Sequence, residues 1–292
     1  MKNYLNKIKL SAKPGFMVFI CLFAFKANAQ IVQAPSVNDI KTYTSQFDGK
    51  DTIVLFDLDY VLITPQDKIL RYAGEENNYR SKHFQAILKN FQGKEIALGK
   101  DKEVPMAEYL ISQILFTSKF ELVSPDMPNF INELDKKMTV VGFTANSSGK
   151  YGIVQNEAEL HLSRLKSLGY HFIKDNGRLL KGDFPECISR VIFTNKKDKG
   201  KVLLDFLKKL NKTYKNIIFV DDRLKNLISV QNILKDYKIN YLGIHYTELK
   251  DKNEVLNQDI ADKQFEVLAR KHIWLSDEEV EAMLNIKPSR KS

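Results

Sequence analysis

The sequence predicts an α/β fold: a doubly wound, mostly parallel sheet between two layers of helix, with a mainly helical insertion after an early strand. Two observations carry that expectation. Short apolar runs rich in β-branched residues recur along the chain, and amphipathic stretches of helical period separate them. At 292 residues, 43% hydrophobic and 28% charged, the chain can bury a sizeable core, so a disordered or fibrous protein is excluded.

The first 29 residues read as an export signal. Lys2, Lys7, Lys9 and Lys13 form an acid-free leader, an apolar run extends from Gly15 to Phe25, and Ala27-Asn28-Ala29 is a small-x-small site that predicts cleavage before Gln30. That run is too short to cross a bilayer as a helix, which takes about 20 residues. Retention as an anchor is the second reading, because Lys26 interrupts the approach to the cut. Cys21 lacks the small residue that precedes a lipidated cysteine. Removal of residues 1–29 takes five lysines and no acid, leaving 40 basic against 36 acidic residues and a net charge of +4 instead of +9. A nucleic-acid partner is therefore not expected, nor is membrane contact after cleavage, and the expected location is periplasmic or secreted. Cys187 would be the sole remaining cysteine, so the fold must rest on its core.

Along the mature chain, Thr52 to Phe56, Met138 to Phe143 and Asn216 to Val220 are uncharged runs of strand length and predict central strands. Arg190 to Thr194 and Ile239 to Ile244 predict two more. Helices are expected over Pro128 to Lys137, Glu157 to Leu168, Lys201 to Leu210 and Leu224 to Tyr237, so strand and helix alternate. Residues 66–119 break the rhythm, with helical stretches at Lys82 to Phe91 and Met106 to Phe116. They read as a cap inserted into a core of residues 30–65 and 120–292. Ser276-Asp277-Glu278-Glu279 is an N-cap signal for a last helix, and Trp274 before it reads as packing.

In an open α/β sheet the ligand site lies beyond the carboxyl ends of the strands. After Phe56 come Asp57-Leu58-Asp59; after Phe143 comes Thr144; after Val220 come Asp221-Asp222. Converging carboxylates repel one another unless a cation neutralises them, and hard oxygen ligands suit Mg²⁺. The plain alternative is that such acids only cap helices or form turns.

Asp57-Leu58-Asp59-Tyr60-Val61-Leu62 after an apolar strand resembles the first motif of the haloacid dehalogenase superfamily. Thr144 is similar to its second motif, Lys199-Gly200 to its third and Asp221-Asp222 to its fourth, in the family's order and spanning residues 52 to about 245. The contexts Gly142-Phe143-Thr144-Ala145-Asn146 and Phe219-Val220-Asp221-Asp222 look closest to an exported bacterial branch.

The resemblance implies a Mg²⁺-dependent phosphatase acting on a small phosphorylated substrate. Asp57 would be the nucleophile and form an aspartyl-phosphate; Asp59 would be the acid and base, a residue the family's dehalogenases lack. Asp57, Asp221 and the main-chain carbonyl of Asp59 would hold the ion, with Asp222 in support. Thr144, Asn146 and Lys199 would contact phosphate or substrate. Lys196, Lys197 and Lys201 compete with Lys199, which Gly200 and Leu203-Leu204 favour by reproducing the family's spacing. Asn226 is a secondary candidate to orient a carboxylate. Tyr72, Tyr79, Arg80, Lys82 and Lys89 are candidate cap contacts. The five histidines show no metal-ligand spacing and read as solvated or core residues. The alternative from another class is a catalytically silent binding or host-interaction protein that keeps the acidic pocket without turnover.

Overall fold

The structure is a computed structural model that describes residues 29–47, 49–71, 78–99, 102–172, 179–180, 183–251 and 255–284. Residues 1–28 of the expected export leader, Cys21 among them, and Tyr72 lie outside them. Among the described residues no helix is long and apolar enough to cross a membrane.

The chain opens with β1 (Gln30–Ala34), α1 (Val37–Thr44) and β2 (Thr52–Phe56). It continues through β3 (Ile63–Pro65), α2 (Lys68–Arg71), α3 (Asn78–Asn90), β4 (Glu95–Ala97), β5 (Glu103–Pro105), α4 (Met106–Thr117) and β6 (Phe120–Leu122). Alternation then resumes with α5 (Met127–Asp135), β7 (Thr139–Thr144), α6 (Glu157–Ser167), β8 (Cys187–Ile188), β9 (Val191–Phe193), α7 (Lys199–Lys209), β10 (Asn216–Asp221), α8 (Leu224–Leu234) and β11 (Asn240–Tyr246). Three helices follow: α9 (Glu248–Asp251), α10 (Gln258–Lys271) and α11 (Asp277–Met283).

Seven strands form one sheet in the order β1-β11-β10-β2-β7-β9-β8. Every pairing is parallel except the short β8–β9 pair at the edge. Strand β2 is buried at all five positions, and its side chains divide between the faces as a period of two requires. Val54 and Phe56 pack with α1, α5 and α6, against Ile40, Phe130 and Leu165. Ile53 and Leu55 pack with α7 and α8, against Leu203, Phe206 and Leu227. The sheet is thus covered on both sides, which explains why its central strands read as unbroken apolar runs. From β2 the chain moves outward through β7 to β9, then returns to the other side of β2 for β10 and β11. The strand order therefore reverses beside β2, where ligands bind in such sheets.

The segment from β3 to β6 forms a lobe. Its two ends pair antiparallel as β3 and β6, and β4 pairs with β5 as a hairpin. Ile87 of α3 and Leu110 and Ile114 of α4 share a core with Phe265 and Leu268 of α10 and with Trp274. The C-terminal helices therefore pack into the lobe built on residues 66–119. A polar seam holds them there: Asp67 accepts from Trp274 Nε1 at 2.8 Å and from the Asp277 amide at 2.9 Å. Helix α11 begins in a Ser276–Glu279 capping box, where the acidic cluster signalled a start.

Candidate metal and phosphoryl site

Three strand ends build the site. Asp57 directly follows β2, Thr144 ends β7, and Asp221 ends β10 with Asp222 next. Asp57 is tied to the neighbouring strand end, since its amide donates to the Val220 carbonyl at 2.9 Å. The chain then makes one tight turn, with the Leu62 and Ile63 amides donating to Leu58 O at 2.8 and 3.0 Å. Tyr60 sits there at φ 64°, a left-handed conformation a bulky residue adopts only when its surroundings hold it. The Tyr60 hydroxyl donates to Leu70 O at 2.7 Å, which ties the turn to the lobe.

Lys199 is the first residue of α7. The Asp198 side chain caps that helix by accepting from the Lys201 amide at 3.0 Å, and Ser229 Oγ donates to Asp198 Oδ2 at 2.7 Å. Gly200 follows for a packing reason: a Cβ there would lie 2.6 Å from the Ser229 carbonyl of α8, so no larger residue fits. Helix α7 is thereby seated with Lys199 aimed at the strand ends. Its ammonium, in a side chain only 2% exposed, lies 2.9 Å from Asp57 Oδ2 and 2.8 Å from Asp221 Oδ2. It also donates to Phe143 O at 2.8 Å and sits over the rings of Phe143 and Phe219. Lys197 instead faces Glu186 at 3.3 Å near the surface.

The other sequence candidates fall around this pair. Asp221 is wholly buried and accepts from Asn226 Nδ2 at 3.0 Å at both oxygens and from the Arg223 amide at 2.8 Å. Asn226 is therefore brought to the site, where sequence reasoning ranked it second. Asp57 Oδ1 accepts from the Leu58 amide at 2.8 Å. Asn146 Nδ2 donates to Asp59 Oδ2 at 2.8 Å, and the Asn146 amide donates to Thr144 Oγ1 at 3.2 Å. Of the suggested cap contacts, Tyr79 donates to Asp262, and Arg80 donates to Leu70 O at 2.9 Å and to the Tyr60 hydroxyl at 3.3 Å. Lys82 and Lys89 are exposed.

Burial sets the electrostatics. It pushes the Asp57 carboxyl well above the usual range, opposed by Lys199 and reinforced by Asp221 and Asp222. Asp222 is pushed up to about 7, first by burial and then by Asp221. For Lys199 burial works downward, but the Asp221 and Asp57 charges outweigh it and hold the ammonium above its ordinary value. One lysine does not balance three acids. Asp57, Asp221 and Asp222 each offer a carboxylate oxygen, all within 4.8 Å of one another, and Asp222 Oδ1 and Asp59 Oδ1 are buried without a hydrogen-bond partner. Excess negative charge with unsatisfied hard oxygens fits a divalent cation of the Mg²⁺ type.

These shifts have a consequence for stability. A carboxyl whose folded pKa is raised holds its proton more tightly in the native state, so its contribution is present at low pH and is lost as pH climbs from near 4 towards 7. With a chelator present, the unfolding midpoint is expected to fall between pH 5 and pH 8, and Asp222→Asn to flatten that decline. Circular-dichroism melts at the two pH values measure it; a midpoint that rises over this range would contradict the assignment.

Fold and site together define an α/β protein with an acid-and-lysine centre at the switch point of its sheet, where three carboxylates lie close enough to share one cation. The chain belongs to the family described as Protein of unknown function (DUF2608), whose profile matches residues 33–281. An uncharacterized protein of Rickettsia prowazekii is 24% identical over 291 residues, covering 96% of this chain and 98% of its own length. One of Rickettsia felis is 24% identical over 274 residues, covering 85% and 86%. Among solved structures, a protein of Burkholderia xenovorans carrying the provisional name of a haloacid dehalogenase-like hydrolase is similar at 14% identity and a TM-score of 0.38. That match covers 81% of this chain and 96% of the other.

Arg164 escaped the sequence reading, and His161, read there only as a solvated or core residue, is in the core. Both are buried on α6, and each is within electrostatic reach of Asp59.

Proposed function

We propose that the protein is an exported, Mg²⁺-dependent phosphatase that hydrolyses phosphomonoesters through an aspartyl-phosphate on Asp57. The observation that carries this reading is the buried Lys199 ammonium between Asp57 and Asp221, with Asp222 beside them.

Asp57, Asp221 and Asp222, with the Asp59 carbonyl, would hold the ion. When bound, it supplies a positive charge that screens nucleophile from phosphate and stabilises charge on the phosphoryl oxygens. The chain's own groups do the rest. An Asp57 oxygen attacks phosphorus as the ester oxygen leaves, and the Asp59 carboxyl gives that oxygen its proton. Asp59 then takes a proton from the water that attacks the acyl-phosphate, releasing inorganic phosphate and restoring Asp57. Lys199 holds the Asp57 carboxylate in place and offsets charge on the phosphoryl group. Thr144 donates its hydroxyl to another phosphoryl oxygen. Asn146 fixes the Asp59 carboxyl by the bond to Oδ2.

Purified residues 30–292 are expected to hydrolyse p-nitrophenyl phosphate with Mg²⁺ and to stop on addition of EDTA. Mg²⁺ at about 100 times its Kd should stabilise the fold by about 2.7 kcal/mol, a rise in Tm of about 5–10 °C. Inertness across a broad phosphate panel, together with vanadate binding, would instead support the silent binding protein. Export is tested by the mature N-terminus. Gln30 opens β1, and Gln231 Nε2 donates to Ala29 O at 2.9 Å, so a cut before Gln30 leaves the strand whole and removes that bond. Mass spectrometry of the secreted form should find Gln30 first.

A further inference from the structure

Two basic side chains beside the site have no task in the reaction above. His161 and Arg164 lie one turn apart on α6, at 3% and 9% exposure. His161 Nδ1 and Arg164 Nη1 are buried without a hydrogen-bond partner. The rest of the guanidinium is anchored: Nη2 donates to Leu115 O at the end of α4, and Cζ lies 4.2 Å from the centre of the Phe120 ring in β6. One edge of Arg164 is therefore fixed to the lobe, and the other is presented without a partner.

Asp59 is the acid whose charge reaches both groups, yet it does not close an ion pair with either. Its Oδ2 takes Asn146, and its Oδ1 is itself buried and unpaired. A buried polar group left without a partner costs about 1–3 kcal/mol, so two unpartnered basic nitrogens and an unpartnered carboxylate oxygen are not retained by packing alone. A group with several acceptor oxygens satisfies a guanidinium edge and an imidazole together, and a planar fork of donors suits carboxylate or phosphate. The leaving group of a phosphomonoester lies on the side of the acid that protonates it, and that acid is Asp59.

We propose that Arg164 and His161 form a second anion subsite, which holds a carboxylate or a second phosphoryl group on the leaving-group portion of the substrate. The assignment rests on the phosphatase reading and adds a substrate class to it. Helix α4 seals the subsite from the lobe side. Gly152 N donates to Glu108 Oε1 at 2.6 Å, Ile153 N donates to Ser112 Oγ at 3.1 Å, and Arg164 donates to Leu115 O. Entry of the anion requires α4 to part from the 152–164 stretch, and its binding replaces the missing partners.

The test compares kcat/KM for ethyl phosphate, phosphoglycolate and ethylene glycol bisphosphate with the Mg²⁺-loaded protein. Wild type should prefer one or both anionic-tailed substrates over ethyl phosphate by about 10-fold or more, and whichever is preferred separates the carboxylate from the phosphoryl form. In Arg164→Met that ratio should fall about 10- to 100-fold, with partial recovery in Arg164→Lys. Turnover of all three substrates without preference in wild type overturns the subsite alone, and needs no variant to fold. An unchanged ratio in Arg164→Met overturns it as well. Failure to hydrolyse any of the three, or p-nitrophenyl phosphate, is instead the failure of the phosphatase reading, and the subsite falls with it.

Discussion

Asp57→Asn should lower p-nitrophenyl phosphate hydrolysis by on the order of 10⁴-fold or more, the scale on which loss of a nucleophile acts when the rest of a catalytic group survives. Asparagine keeps the shape of the side chain and an oxygen for the Leu58 amide, so the turn after β2 stands. It removes the charged oxygen that would attack phosphorus. Folding should tolerate the change: burial already presses Asp57 towards its neutral form, and Lys199 keeps Asp221 as a partner. A folded variant with an unshifted or slightly raised melting temperature and no phosphate release is the expected result. Retention of more than about a tenth of wild-type turnover would remove the aspartyl-phosphate from the mechanism.

The parts of the fold that were legible in sequence are those whose partners lie on the same element. The runs at 52–56, 139–144 and 216–221 are buried on both faces, so their apolar character is continuous and needs no knowledge of what covers them. Strand β1 was missed for the converse reason. It is an edge strand with only Ala34 buried, and Gln30 and Gln33 break its apolar character. Helix α7 starts at Lys199, two residues before the stretch of helical period, because the Asp198 cap and not an apolar residue sets its beginning. The lobe's core was hidden for another reason: Leu110 and Ile114 meet Phe265 and Leu268 across some 150 residues, and no local pattern reports that.

The site divides in the same way. Asp57, Thr144 and Asp221 are attached to strand ends and could be placed once the strands were. Lys199 stood out from Lys196, Lys197 and Lys201 through Gly200, and the physical reason is the backbone of Ser229, which leaves no room for a side chain. His161 and Arg164 carried no such mark. Two polar residues at i and i+3 on a helix look like a solvated face, and the carboxylate whose charge reaches them is about a hundred residues earlier in the chain.

Lys199→Met carries the second large effect, and it separates stability from chemistry. The side chain fills similar volume and keeps contact with Phe143 and Phe219, but Asp57 and Asp221 then face each other without the ammonium that lies within 2.9 Å of both. Removing one partner of a buried ion pair costs about 3–5 kcal/mol, because the charge left behind has no compensation. With EDTA, the variant should therefore melt about 6–20 °C below wild type, at about 2–4 °C per kcal/mol for a chain of this size. Lowering the pH towards 5 should recover part of the loss by protonating the carboxyls, and Mg²⁺ should recover more by supplying positive charge to the same oxygens. Activity should not return with it. In the proposed reaction the ammonium stabilises charge on the phosphoryl group as well as on the aspartates, and loss of one such preorganised contact should lower turnover about 10²- to 10³-fold even in a folded, metal-loaded protein. Lys201→Met, two residues further along α7 with its side chain exposed, should change neither quantity. If Lys199→Met and Lys201→Met melt alike in EDTA, the ammonium does not neutralise the acids, and the charge balance that calls for a divalent ion loses its basis.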